Sequence, residues 1–165
     1  MKTCRSILFA VSMASSGFSL AQQPGSPAPA TVLQQQPFTS EQRVQIARQN
    51  AEMSKAAGLV IQLVDQNKGG EVWEGASSVA KSVVTKDSFV QQISADRQKL
   101  GAPVTRSQVA VTRAVYAAGN QVPAGNYINV VFATKFTNAP RPVRELVSFR
   151  LDEDKTWRVS GYSLR

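Results

Sequence analysis

At Gly101-Ala102-Pro103 the spacing of apolar residues changes, and that switch limits the folds open to the chain. Apolar residues recurring every three to four positions need a helix, whereas those recurring every second position need a strand. Ahead of the switch, Thr39-Ser40-Glu41-Gln42 has the Thr and Gln of a capping box, which predicts a helix start. From there to about Asp65 there is no Pro, and Gly occurs once, at Gly58. Met53, Ala56, Ala57, Val60, Ile61 and Val64 keep helical spacing, so the second half of this helix is the part expected in the core. Asn67-Lys68-Gly69-Gly70 ends it. A second helix is predicted over about Glu71–Val84, with Trp73 as a core anchor. A third, from Thr85 or Asp87, carries Phe89, Val90, Ile93 and Leu100 and stops at Gly101 and Pro103.

Beyond the switch the pattern has a period of two. Strands are predicted over about 105–117, 126–137, 142–152 and 156–164. The connections AAGNQVPAG, NAPRP and DEDK are short and rich in turn residues, so successive strands should pair antiparallel. The acidic run Asp152-Glu153-Asp154 belongs to the last of these turns. The expected fold is α+β: three N-terminal helices packed on one face of a curved, four-stranded antiparallel sheet.

The chain opens MKTCRSILFAVSMASSGFSLAQQ. Lys2 and Arg5 precede a short apolar run, and Ser19-Leu20-Ala21 supplies small residues, the pattern of a signal peptide cut after Ala21. The apolar run falls well short of the ~20 residues that span a bilayer, and no later segment is apolar enough to cross one. Residues 22–38 carry four Pro and five Gln and read as a linker, leaving 39–165 as one domain. The expected address is the periplasm or the exterior. Cleavage would remove Cys4, the only cysteine, so the mature chain has no disulfide or thiol nucleophile.

Histidine is absent altogether. This excludes Ser-His-Asp and Cys-His catalysis and the commonest transition-metal ligand. Gly69-Gly70 lacks the strand-to-helix context of a phosphate loop. No metal or cofactor is expected. Charge is uneven: residues 22–96 carry six basic and seven acidic side chains, whereas residues 97–165 carry eleven basic and four acidic. A basic C-terminal half favours anionic partners. The export signal and the lack of an aromatic-basic motif argue against nucleic acid.

The candidate site centres on one carboxylate. In RPVRELVSFRL, alternation places Glu145 with Val143, Val147, Phe149 and Leu151 on one face. A buried, unpaired Glu is costly, so a partner is expected. Arg113, reached across an intervening strand, and Arg97, near the end of the third helix, are the candidates. Three readings stay open. Glu145 is a general base in a helix–sheet cavity with an Arg holding an anionic substrate, or it is half of a structural ion pair, or it meets water at an edge position or through a β-bulge that turns it outward. Tyr127, on the opposite sheet face, is expected to be exposed. Tyr162 and Arg158 are expected to share one face of the last strand.

The stretches VWEGAS, DRQKLGAPVTR, PAGNYINVVFATKF, RELVSF and DKTWRVSGY resemble the domain-of-unknown-function family 4019, small bacterial proteins often carrying export signals. The resemblance covers roughly residues 53–164. It matches at Trp73, Arg97, Gly101, Arg106, Gly125, Tyr127, Phe132, Phe136, Glu145, Trp157, Val159, Gly161 and Tyr162. The family's Trp in the first helix is replaced here by Leu59-Val60, and a second Trp by Phe89; both changes keep an apolar residue. The resemblance implies a cone-like fold related to nuclear transport factor 2, and it implies no activity. The expectations are therefore a non-enzymatic binding or accessory domain for a small anionic ligand or an acidic envelope partner; an enzyme using Glu145; or a homodimer packed through the sheet face bearing Tyr127 and Val131.

Overall fold

The computed structural model describes residues 38–119 and 121–165. The expected signal peptide and nearly all of the Pro/Gln-rich stretch lie outside these residues. The elements run α1 (Ser40–Asp65), α2 (Gly69–Glu74), α3 (Ser78–Val83), α4 (Lys86–Leu100), β1 (Pro103–Tyr116), β2 (Gly125–Phe136), β3 (Val143–Leu151) and β4 (Trp157–Leu164). The fold is α+β, with one antiparallel sheet in the order β1-β2-β3-β4.

Local chemistry sets the helix limits. Thr39 and Gln42 form the capping box at α1, satisfying backbone donors that the first turn leaves free. At Gly101 φ is +76°, and a Cβ there would collide with the Thr137 hydroxyl. That hydroxyl accepts from the Ala102 N–H at 3.1 Å, so the α4–β1 joint is tied to the turn after β2.

The second predicted helix is two short ones. The Ser77 N–H donates to the Val159 carbonyl at 2.8 Å, and Ala76 bridges Val159 in parallel. The chain is thus stitched to the free edge of β4 at the point where helix was expected to continue. Ser77 then caps α3, and its hydroxyl donates to Asp152 at 2.6 Å. This break carries the chain across the sheet edge. α2 contributes Val72 to the inner core, while Val79, Ala80 and Val83 of α3 share a cleft with Tyr127, Arg150 and Ser160 of the outer face. The helices therefore do not all cover one side.

The inner core joins Ala57, Val60, Ile61 and Val64 of α1 with Val72, Ile93, Val130, Phe132, Val147, Phe149 and Val159. Trp157 packs against it, half-buried. Of the three register shifts in the sheet, one of them between Pro103 and Thr105 at the start of β1, two set which residues of β1 and β4 face the core. Gln108 pairs with Phe132 but Ala110 pairs with Val131, so Val109 is a bulge. Ser148 pairs with Gly161 but Phe149 pairs with Val159, so Ser160 is another. A bulge inserts one residue and reverses the alternation beyond it. Accordingly Tyr162 points inward, while Arg158 pairs with Arg150 on the outer face; the two do not share a face. Tyr127 is 6 % exposed, not open, with its hydroxyl donating to the Pro123 carbonyl at 2.8 Å.

Candidate functional site

Glu145 faces inward and is 0 % exposed. Its Oε2 accepts from Arg106 Nε and from the Thr134 hydroxyl, both at 2.6 Å. Its Oε1 accepts from the Tyr162 hydroxyl at 2.6 Å and from Arg106 Nη2 at 3.4 Å. Both oxygens are therefore engaged twice, which nearly exhausts the acceptor capacity of a carboxylate.

The cluster extends to the helices. Arg106 donates from Nη1 and Nη2 to the two carboxylate oxygens of Asp65 at 3.1 and 3.3 Å. Arg97 reaches the same carboxylate from α4 at 2.8 Å and stacks over Phe136, 4.8 Å from the ring centre. Asp65 ends α1, where the helix dipole disfavours an anion; two guanidiniums offset this. Four formal charges cancel: Arg97 and Arg106 against Asp65 and Glu145.

Titration follows the geometry. Burial pulls the Arg106 guanidinium down, but its bonds to Asp65 and Glu145 outweigh that and raise it. Burial, followed by the Glu145 charge, pushes the Tyr162 phenol well above its usual value. Tyr162 is held as a donor, not as a phenolate.

Of the expected partners, Arg97 joins this cluster through Asp65 and not by touching Glu145. Arg113 does not join it. Glu145 pairs with Phe132, and Phe132 pairs with Gln108, so the β1 residues beside Glu145 lie near 106–108. Arg113 pairs with Ile128 further along β2. Its Nη2 donates to the side-chain oxygens of Gln49 and Asn50 of α1, each at 2.8 Å. The residues missed were Arg106, Asp65, Thr134 and Tyr162. Arg106 and Tyr162 stand among the positions carrying the family resemblance, which was the available signal. Thr134 was legible as a polar residue on an apolar face.

A second cluster lies on the outer face. Arg150 donates to Asp152 at 3.0 Å, to Glu153 at 3.1 Å and to the Ala124 carbonyl at 3.1 Å. A Cβ on Gly125, whose φ is +148°, would lie 2.9 Å from Arg150 Nε, so this guanidinium requires glycine beside it. Asp152 also takes Arg158 at 3.2 Å and the Ser77 hydroxyl.

Other cations have no carboxylate. Among the described residues, Arg113, Lys135, Arg144 and Arg165 form no salt bridge. Arg144 and Arg165 exchange both backbone hydrogen bonds, at 2.7 and 2.9 Å, so they stand directly opposite each other. Because Glu145 and Thr134 face inward, Arg144 of β3 and Lys135 of β2 face outward, with Arg165 just past the end of β4; the Lys135 ammonium donates to the Ala139 and Pro140 carbonyls at 2.7 and 2.8 Å.

The family model described as "Protein of unknown function (DUF4019)" matches residues 56–162. The chain belongs to this family. The match takes in Asp65, Arg97, Arg106, Thr134, Glu145 and Tyr162, the whole inner cluster. No curated protein matches the chain.

Proposed function

We propose that the chain is an exported, non-enzymatic binding or accessory domain, and that what it binds is anionic: a small ligand or an acidic envelope component. The observation that carries this reading is the set of basic side chains presented without a carboxylate among the described residues, Arg113 beside a cleft, Lys135 and Arg144 on the outer face, and Arg165 opposite Arg144. Like charges directly opposite on a sheet repel, and an anionic partner would relieve that repulsion. The short leader supports export. The cone-like architecture belongs to the same reading and is supported by α1 lying on the inner face and by bulges that bend β1 and β4.

The alternatives have less to stand on. A general base needs free acceptor capacity and access to substrate. Glu145 lines none of the clefts bounded by Val79 and Ser160, by Phe38 and Gln49, by Ala76 and Arg158, by Gln49 and Trp157, or by Gln92 and Arg165, and its oxygens are already engaged. A self-packing face needs exposed apolar area, whereas Tyr127 and Val131 are 6 % and 9 % exposed.

A thermal-shift screen of the full chain against phospholipid headgroups, peptidoglycan fragments and polyglutamate, at low and high salt, tests the reading. The expected result is at least one stabilising binder whose effect fades with salt. No salt-sensitive binder across the panel overturns it.

A further inference from the structure

Among the described residues, three guanidiniums lie on the inner side of the sheet, Arg106 and Arg113 from β1 and Arg97 from α4, and they are treated differently. Arg97 and Arg106 spend their charge on Asp65 and Glu145. Arg113 is held only by neutral oxygens, those of Gln49 and Asn50, and both bonds use one nitrogen, Nη2. Among the described residues, its Nε and Nη1 have no hydrogen-bond partner. Two neutral side chains therefore fix the guanidinium while leaving its charge uncompensated. That is an arrangement for an anion, since fixing the fork in advance lowers the ordering cost of binding.

Arg113 lines a cleft of about 240 Å³ between α1 and the sheet, with Gln49, Asn126, Ile128, Leu151 and Trp157 around it. The volume lies below the ~300–1,000 Å³ of sites for drug-sized ligands, so the occupant is small. The wall holds one cation and no carboxylate, so the occupant is a monoanion. With both Nη2 hydrogens taken by Gln49 and Asn50, a carboxylate meets the guanidinium through one N–H, of Nη1 or Nε, as a charge-assisted bond; a phosphate dianion would need further donors or a second cation, and none lines the cleft. Ile128, Leu151 and the half-buried Trp157 supply an apolar wall beside the charge. Gln49 and Asn126 add amide groups at the rim.

We propose that this cleft binds a small amphiphilic carboxylate, with the carboxylate on Arg113 and an apolar or aromatic body against Trp157. This rests on the anion-binding reading above and assigns it a place and a ligand class.

The test is a 15N-labelled full chain titrated with 3-phenylpropanoate, with neutral 3-phenylpropanamide and with polyglutamate. The readout is the side-chain amides of Gln49 and Asn126 and the Trp157 indole N–H. Saturable shifts of these groups with the acid are expected, with the amide at least about tenfold weaker because it lacks the charge-assisted bond. Arg113→Gln, at an exposed position, should lose affinity for the acid by a similar factor while the rest of its spectrum stays in place. Equal binding of acid and amide, or an unchanged affinity in Arg113→Gln, overturns the proposal. Shifts gathering at Lys135, Arg144 and Arg165 instead would remove the cleft but leave the anion-binding reading standing. No shift with the acid or with polyglutamate would remove both.

Discussion

Two guanidiniums, two carboxylates, a phenol and a threonine hydroxyl meet beneath α1, and each has a different role there. Replacing such a cluster wholesale with apolar residues need not destabilise a protein, but removing one member strands the others. Tyr162→Phe leaves Glu145 Oε1 with only the long contact from Arg106. It is expected to cost about 1–3 kcal/mol in urea unfolding, and a variant as stable as the parent would count against the cluster. The same residues show what could be read without coordinates. Period-two spacing placed Glu145 on the apolar face, and the cost of burying it pointed to an Arg partner as one way to meet that cost. Which Arg was hidden by one inserted residue: Val109 reverses the alternation, so that Arg106 and Arg113 both face in, and only register decides between them. Nothing in the spelling of the strand announces a bulge at a valine.

At the scale of elements, the capping box, the helix stop at Gly101 and the strand meander were legible because each depends on neighbours in sequence. The split between α2 and α3 was not, because its cause is distant: Ser77 is claimed by Val159 and Asp152, far along the chain. Asp152 is the anchor of that joint. Burial alone would raise its carboxyl, but bonds from Ser77, Arg150 and Arg158 outweigh burial and hold it below the usual aspartate value. The folded value is thus below the unfolded one of about 3.9. The stabilisation it gives is complete above the unfolded value and is lost as pH falls through the folded one. Unfolding free energy should therefore decline as pH drops below about 5. Asp152→Asn should flatten part of that decline and cost roughly 3 kcal/mol or more at neutral pH, since it strips a buried partner from Arg150. Denaturant titrations of both proteins across pH check this, and parallel curves would contradict it.

At the scale of the whole molecule, a neutral interior network lies inside a basic shell. The sequence charge asymmetry between the two halves foretold the shell but not its layout, because ion pairing sorts cations by fold position. Among the described residues, Arg97, Arg106, Arg150 and Arg158 are consumed by carboxylates, while Arg113, Arg144 and Arg165 are not. The proposed binding and the stability would then rest on different residues, which one substitution can separate. Glu145→Gln preserves size but removes the charge that Arg106, Thr134 and Tyr162 are arranged around. The measurement is its urea unfolding free energy beside its affinity for 3-phenylpropanoate under native conditions. The prediction is a loss of about 3–5 kcal/mol in stability with the affinity of the folded fraction within twofold of the parent. A variant that unfolds like the parent but no longer binds would contradict the account and return Glu145 to the ligand site.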